Sequence, residues 1–498
     1  MRRALTAASS GLLLILTFPS FDLAPLAWIA LVPLLWVCAE EPIARRRFFY
    51  GWIAGVVFFL GTCYWCYGVM HHYGKLTVLE STGVLAAMVA GLALYVGLFA
   101  AVLPLAFENA LEHPAWAIAG TAALWVACEF ARGHIFIAFP WLFLGYAAAD
   151  HLLLAKLAQI TGVYGLSFVM AAFNAAIYLV IRSQRRDWGL RLAFAFFALA
   201  AIAGGGAFVA KDRPTEDAYL VQTAIPLDSE WSRESLEQFE REMQVKIVSR
   251  FARNGSRPGL IVWPEAPAPF YYGEDAELQA YLAKIARDTS SATVFSGIDF
   301  QGGDQQKPLN SAFGIGADGR LAAQYDKIEL VPFGEHVPYA SLFFFAGKLT
   351  AEVGDFVPGT RYQLLPGAGP SHVAAVICYE AAFPELVREL TRRGANAIVN
   401  VSNDGWFGDS PARRQHLLMA RMRAIENDRW LIRATNDGLT AAISPEGRVV
   451  TFPAAVRDVF AARYGLKSTR TLYTEWGDWF PIGCVLLALA GVAINWRK

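Results

Sequence analysis

The sequence predicts an α/β layered domain inserted between the transmembrane helices, about eight in number, of an all-α membrane domain. Three observations predict it. Of 498 residues, 55% are hydrophobic, more than an ordinary soluble protein carries. The excess is uneven: up to about residue 210 roughly one residue in ten is charged, whereas the stretch from about 216 to 470 has a globular composition. Within that second stretch, short β-rich runs alternate with helical ones, the pattern of helices packed on sheet faces.

The membrane part comes first. A hydrocarbon core of about 30 Å needs roughly 20 apolar residues per span. Candidates are 4–19, 24–39, 50–70, 83–107, 114–131, 161–182, 191–210 and 478–495. The first two are short and are joined by Phe18-Pro19-Ser20-Phe21-Asp22-Leu23-Ala24-Pro25, which suits a tight hairpin. Arg2-Arg3 before an apolar run resembles a signal peptide, but no small-residue cleavage site follows, so the segment is expected to be retained. The division is then 1–210, a membrane domain of seven helices; 211–477, an extramembrane domain; and 478–498, a C-terminal transmembrane helix. Arg2-Arg3, Arg45-Arg46-Arg47, the 182–191 stretch and Arg497-Lys498 fall on one side of this arrangement. The positive-inside rule makes that side cytoplasmic, with both termini inside and 211–477 outside the cytoplasm. Few charges lie within the spans, which argues against a transporter. Glu129 and Arg132 read as interfacial.

The formal net charge is zero, and no basic helix with interleaved aromatics points to nucleic acid. Cys38, Cys63, Cys66, Cys128 and Cys484 lie in apolar spans, so the cysteines are not a disulfide framework. Cys63-Tyr64-Trp65-Cys66 has the spacing of half a zinc site, without the second ligand pair.

In the α/β domain, strands are expected at 218–225, 260–264, 292–300, 311–317, 374–378, 397–402, 431–435 and 439–444, and helices at 232–252, 275–288, 384–393 and 411–427. Three reactive residues close β-rich runs: Glu265 after 260–264, Lys327 after 321–326 and Cys378 after 373–377. Strand ends along one edge of a sheet are where α/β domains place their sites. A buried cysteine is often no more than a small hydrophobe. Beside an acid and an amine it becomes a nucleophile: the acid takes and returns its proton, and the amine stabilises an oxyanion and lowers the thiol pKa. The amides of the helix expected to open at Ala381 or Ala382 favour the thiolate as well.

Trp263-Pro264-Glu265, Tyr325-Asp326-Lys327 with Pro332-Phe333-Gly334-Glu335 beyond it, and Ile377-Cys378-Tyr379-Glu380 resemble, in that order, the Glu-Lys-Cys segments of the nitrilase superfamily. The resemblance spans about 218–465 and implies an αββα sandwich. Such a domain set between apolar spans and one final span is similar to the bacterial apolipoprotein N-acyltransferase family. That resemblance takes in Asn400 to Gly408 and Arg421 to Asn427.

The resemblance implies Glu265 as general base, Lys327 as stabiliser of oxyanion and thiolate, and Cys378 as nucleophile. Glu335 supports the lysine or positions the incoming amine. Tyr379, Glu380, Trp231 and Trp406 match functional positions around the pocket. The implied reaction is ping-pong acyl transfer from a phospholipid, through a thioester, to the α-amino group of the N-terminal diacylglyceryl-cysteine of a lipoprotein. No nucleotide, cofactor or metal is required. The implied setting is the bacterial inner membrane, with the catalytic domain periplasmic and the protein monomeric. The apolar run 338–347 suits a membrane-dipping lid, with Phe343, Phe344 and Phe345 lining acyl access. The connection 136–146 is a second cover. A membrane-tethered nitrilase-type amidase is the alternative, and eight spans around a small polar substrate argue against it.

Overall fold

The computed structural model describes residues 1–104, 113–183, 211–254, 257–265, 271–301, 307–339 and 356–496. The expected span 191–210 and Phe343, Phe344 and Phe345 lie outside the described residues. The chain divides into two compact units. One comprises Met1–Ala210, Ser410–Met422 and Trp476–Lys498, and the other Lys211–Asp409 and Arg423–Glu475. The helix Ala412–Asn427 is shared between them.

The first unit is helical. Val78–Val102, Pro114–His134 and Val163–Ser183 are long and apolar enough to cross a membrane, and Ala44–Cys63 with Trp65–Tyr73, bent by 53°, makes a fourth if counted as one span. The expected number of about eight is not reached among the described residues. The segments Ala24–Glu40 and Trp479–Ala493 are apolar but short. Arg2–Thr17 is only 16 residues long, about 24 Å of helix. Small residues let these helices approach closely. A Cβ at Gly51 would stand 2.5 Å from the Val96 carbonyl oxygen of the facing helix.

Glu129 and Arg132 are both buried inside the helical unit. Glu129 accepts from Trp125 Nε1 at 3.0 Å and the Leu144 amide at 2.7 Å. Arg132 donates to the Phe139 and Trp141 carbonyls at 2.9 and 2.7 Å. The two side chains thus satisfy the irregular backbone that follows their helix, as apolar surroundings require. Trp141 in that segment is buried and donates to Gln415 Oε1 at 2.8 Å. Most of this connection is interior to the first unit, although Phe136 is exposed.

The second unit contains two six-stranded sheets. The first has the order β12-β1-β2-β3-β4-β5, with β1 Glu216–Gln222, β2 Leu260–Val262, β3 Ala292–Gln301, β4 Lys307–Ile315, β5 Leu321–Asp326 and β12 Asp458–Tyr464. The second has the order β11-β10-β9-β8-β7-β6, with β6 Leu365–Pro366, β7 His372–Ile377, β8 Ala397–Ser402, β9 Leu431–Thr435, β10 Ala441–Ile443 and β11 Val449–Thr451. Parallel β1, β2 and β3 are joined by helices Arg233–Asn254 and Ala276–Thr289. Parallel β7, β8 and β9 are joined by Pro384–Arg392 and Ala412–Asn427.

Strands covered on both faces read as continuous apolar runs, and β7 is buried from Val373 to Ile377. Phe239, Met243 and Ile247 of one helix and Leu278, Leu282 and Ile285 of the next join Tyr219, Ile261, Trp263, Phe295 and Phe313 of the first sheet in one core. The sheets meet where β4 lies against β6: a Cβ at Gly314 would stand 2.3 Å from Pro366. The sequence does not predict β6, β11 or β12. The first two are only two and three residues long, and β12 carries Asp458 and Arg463 among its apolar residues.

Candidate active site

The reactive residues do not share one sheet edge, as the sequence suggested. Glu265 and Lys327 follow β2 and β5 of the first sheet, whereas Cys378 follows β7 of the second. The strands carrying them end in one place because the sheets face each other.

Lys327 is the centre of the charged part. Its ammonium group lies 2.8 Å from Glu335 Oε1 and 3.4 Å from Glu265 Oε1, and all three side chains are buried. Burial alone depresses a lysine. Here it is outweighed by the charges of Glu335 and Glu265, which leave Lys327 above its ordinary pKa. Asn310 of β4 donates to the same two carboxylate oxygens, at 2.9 Å for Glu265 and 3.0 Å for Glu335. The other Glu265 oxygen accepts the Asn403 amide at 3.0 Å, and the other Glu335 oxygen the Val331 amide at 2.8 Å.

Cys378 opens a 3₁₀ turn, Cys378–Ala382, with the α-helix delayed to Pro384. Its φ is +47°, in the left-handed region. For a residue with a side chain this conformation is strained, and it turns the thiol out of the line of the strand. Burial, then the charges of Glu265 and Asp404, push the thiol well up, against the lowering influence of Lys327 and the Ser402 hydroxyl. The expectation that helix amides and the lysine favour a resting thiolate is therefore corrected. Burial and the nearby carboxylates outweigh the lysine, and the thiol lies above its ordinary pKa.

Glu380 clamps the two strand ends. One oxygen accepts from the Tyr325 hydroxyl and Ile328 amide, both at 2.7 Å, and from the Glu329 amide at 3.3 Å; the other accepts the Ile377 amide at 2.8 Å. Burial raises its pKa to about 7 despite these donors. Tyr379 is buried, edge-on to Phe383 with ring centroids 5.1 Å apart. Trp231 packs edge-on to Phe239 against the helix-side core, and Trp406 is half-buried in the turn Asp404–Phe407. Phe344 lies outside the described residues.

Sequence reasoning missed the supporting polar residues. Arg433 of β9 donates to both Asp404 oxygens, at 2.7 and 2.6 Å, and Ser402 donates to Asp404 at 2.8 Å. A Cβ at Gly438 would press to 2.6 Å from Asp404, so this close approach requires glycine. Asn436 accepts from Thr223 at 2.5 Å and donates to Asn403 Oδ1 at 3.1 Å, fixing the turn whose amide holds Glu265. Polar residues within or just after apolar strands, such as Asn310, Arg433 and Asn436, were the available signal.

An acid, a cation and a buried thiol at converging strand ends are the parts that acyl transfer through a covalent intermediate needs. The chain matches the carbon-nitrogen hydrolase family over residues 222–470, which makes it an enzyme of the nitrilase superfamily. It also matches the apolipoprotein N-acyltransferase N-terminal domain over residues 10–176. It is 34% identical to the apolipoprotein N-acyltransferase of Geobacter metallireducens, over 100% of this chain and 96% of that protein. Those of Methylococcus capsulatus and Pseudomonas syringae pv. tomato are 31% and 30% identical, over 100% and 98% of this chain and 97% and 96% of theirs. The chain belongs to the apolipoprotein N-acyltransferase family.

Proposed function

We propose that this protein moves a fatty acyl chain from a phospholipid to the α-amino group of the N-terminal diacylglyceryl-cysteine of a lipoprotein, by way of a thioester on Cys378. The observation that carries the reading is a buried Cys378, tied through Glu380 to the chain that follows Lys327, together with the buried Lys327–Glu265–Glu335 cluster.

Glu265 takes the Sγ proton as sulfur attacks the ester carbonyl. Lys327 stabilises the developing oxyanion. The tetrahedral species collapses with loss of the lysophospholipid oxygen, which receives the proton from Glu265, and the thioester remains. The free amine then attacks the thioester, Glu265 removes its proton, and Cys378 leaves as thiol. Replacing a thioester by an amide is downhill, so no nucleotide or metal enters the cycle. Glu335 and Asn310 hold the lysine and the base, and Glu380 fixes the chain on either side of the reaction.

The first unit, with the C-terminal helix, is the membrane domain in this reading, and 211–477 is the catalytic domain on the periplasmic side of the bacterial inner membrane. The arginine clusters at 2–3, 45–47 and 182–191 support cytoplasmic termini. The apolar run 338–347 is the candidate acyl lid, and the protein acts as a monomer. Purified protein given phospholipid with a labelled acyl chain and a diacylglyceryl-cysteine peptide is expected to yield labelled amide on the peptide. Hydrolysis of small amides without acylation of the peptide would instead support the amidase alternative. Protease digestion within 211–477 in intact spheroplasts tests the orientation, and protection there would reverse it.

A further inference from the structure

Asn310 lies in β4, whose neighbours β3 and β5 flank it on either side. It is 7% exposed. Its backbone carbonyl accepts the Lys327 amide at 2.8 Å, while its side-chain Nδ2 reaches Glu265 Oε1 and Glu335 Oε1 at 2.9 and 3.0 Å. These are the two oxygens that Lys327 also approaches. The orientation of the amide is forced, because turning it over would set its oxygen against two carboxylates. The consequence is that Oδ1 is buried with no hydrogen-bond partner among the described residues. An unpaired buried acceptor is costly, and such a group calls for an explanation. Two charge-assisted bonds to reacting or supporting carboxylates provide one.

We infer that Asn310 is a positioning residue of the acid–base centre: its amide ties Glu265 to Glu335 and holds Glu265 in the arrangement in which it takes the thiol proton. Lys327 alone does not do this, because it stands 3.4 Å from Glu265 against 2.8 Å from Glu335. Asn310 supplies Glu265 with the nearer donor. The inference rests on the acyl-transfer reading for its substrate, but the proton transfer concerns Cys378 whatever the acyl donor.

The test is the pH dependence of Cys378 acylation by vesicles of phosphatidylethanolamine and phosphatidylglycerol, followed by intact mass. Losing a donor to the charged form raises a carboxyl pKa. Asn310→Ala is therefore expected to move the acid limb of the profile upward by about one pH unit. Asn310→Ser, which keeps a short donor, is expected to recover part of the shift. A uniform loss at every pH, with the limb unmoved in both variants, would overturn the inference. If the native protein forms no acyl adduct at all, the functional reading fails separately. Iodoacetamide labelling of Cys378 over the same pH range then decides on Asn310, with the same upward shift expected and an unmoved profile contradicting it. Thermal unfolding of each variant separates misfolding from mispositioning, and the serine variant carries the test if the alanine variant does not fold.

Discussion

The two sheets are built to one plan, three parallel strands joined by helices with antiparallel neighbours, yet they control their reactive groups differently. The first sheet holds its groups by charge. Lys327, Glu265, Glu335 and Asn310 fix one another through side-chain contacts between 2.8 and 3.4 Å. The second holds its thiol by backbone, with Cys378 at φ +47° directly after a strand buried on both faces. A proton acceptor or cation can be steered by its partners along a flexible side chain. A thiol one bond from Cβ has no such reach, so the main chain must aim it.

The largest effect should come from breaking the charged half. Lys327→Met leaves Glu265 and Glu335 buried without their cation, which costs about 3–5 kcal/mol in similar settings. Acylation of Cys378 should fall by about 10²–10³-fold with the loss of one oxyanion donor. Denaturant titration and intact mass check the two parts. Next is the clamp. Glu380→Gln presents an amide group to donors that need acceptors, and a loss of about 1–3 kcal/mol is expected, with slower acylation because both strand ends shift. A variant as stable and as active as the native protein would remove the clamp from the account.

The backbone half is sharpened by comparing Cys378→Gly with Cys378→Ala. Both lack the thiol, but only glycine is at ease at positive φ, so the glycine variant should be more stable by about 1 kcal/mol. Equal melting temperatures would mean that the strain is absent.

A pH dependence tests the clamp from another side. The Glu380 carboxyl is raised from 4.5 to about 7 in the fold, so the unfolded chain releases its proton first as pH rises. Its contribution to stability is therefore present below about 4.5, declines between 4.5 and about 7, and levels off above. The stability of the native protein relative to Glu380→Gln, followed across that window, should fall with rising pH.

Much of this was legible in the sequence because β-rich runs end abruptly in Glu265, Lys327 and Cys378. The α/β alternation and the helical first unit were also legible, since burial on both faces and apolar length leave strong patterns. Which sheet each run joins was not legible, because β2 and β7 look alike locally and only long-range pairing separates them. The upward push on the Cys378 thiol was not legible either, since it depends on burial and on Asp404 approaching from the turn after β8. Asn310 and Arg433 escaped notice because a single polar residue in a strand gives no hint of the partner it meets. The span count of about eight is not confirmed among the described residues, where apolar segments such as Trp479–Ala493 are short.

The central claim is that a thiol from one sheet and a carboxylate from the other act as one proton-transfer pair that loads an acyl chain. Intact mass after incubation with phospholipid vesicles tests it most directly. The native protein should gain one acyl group that hydroxylamine removes, Cys378→Ala should gain none, and Glu265→Gln should gain it far more slowly. An adduct that survives Cys378→Ala, or forms at the native rate in Glu265→Gln, would contradict the account.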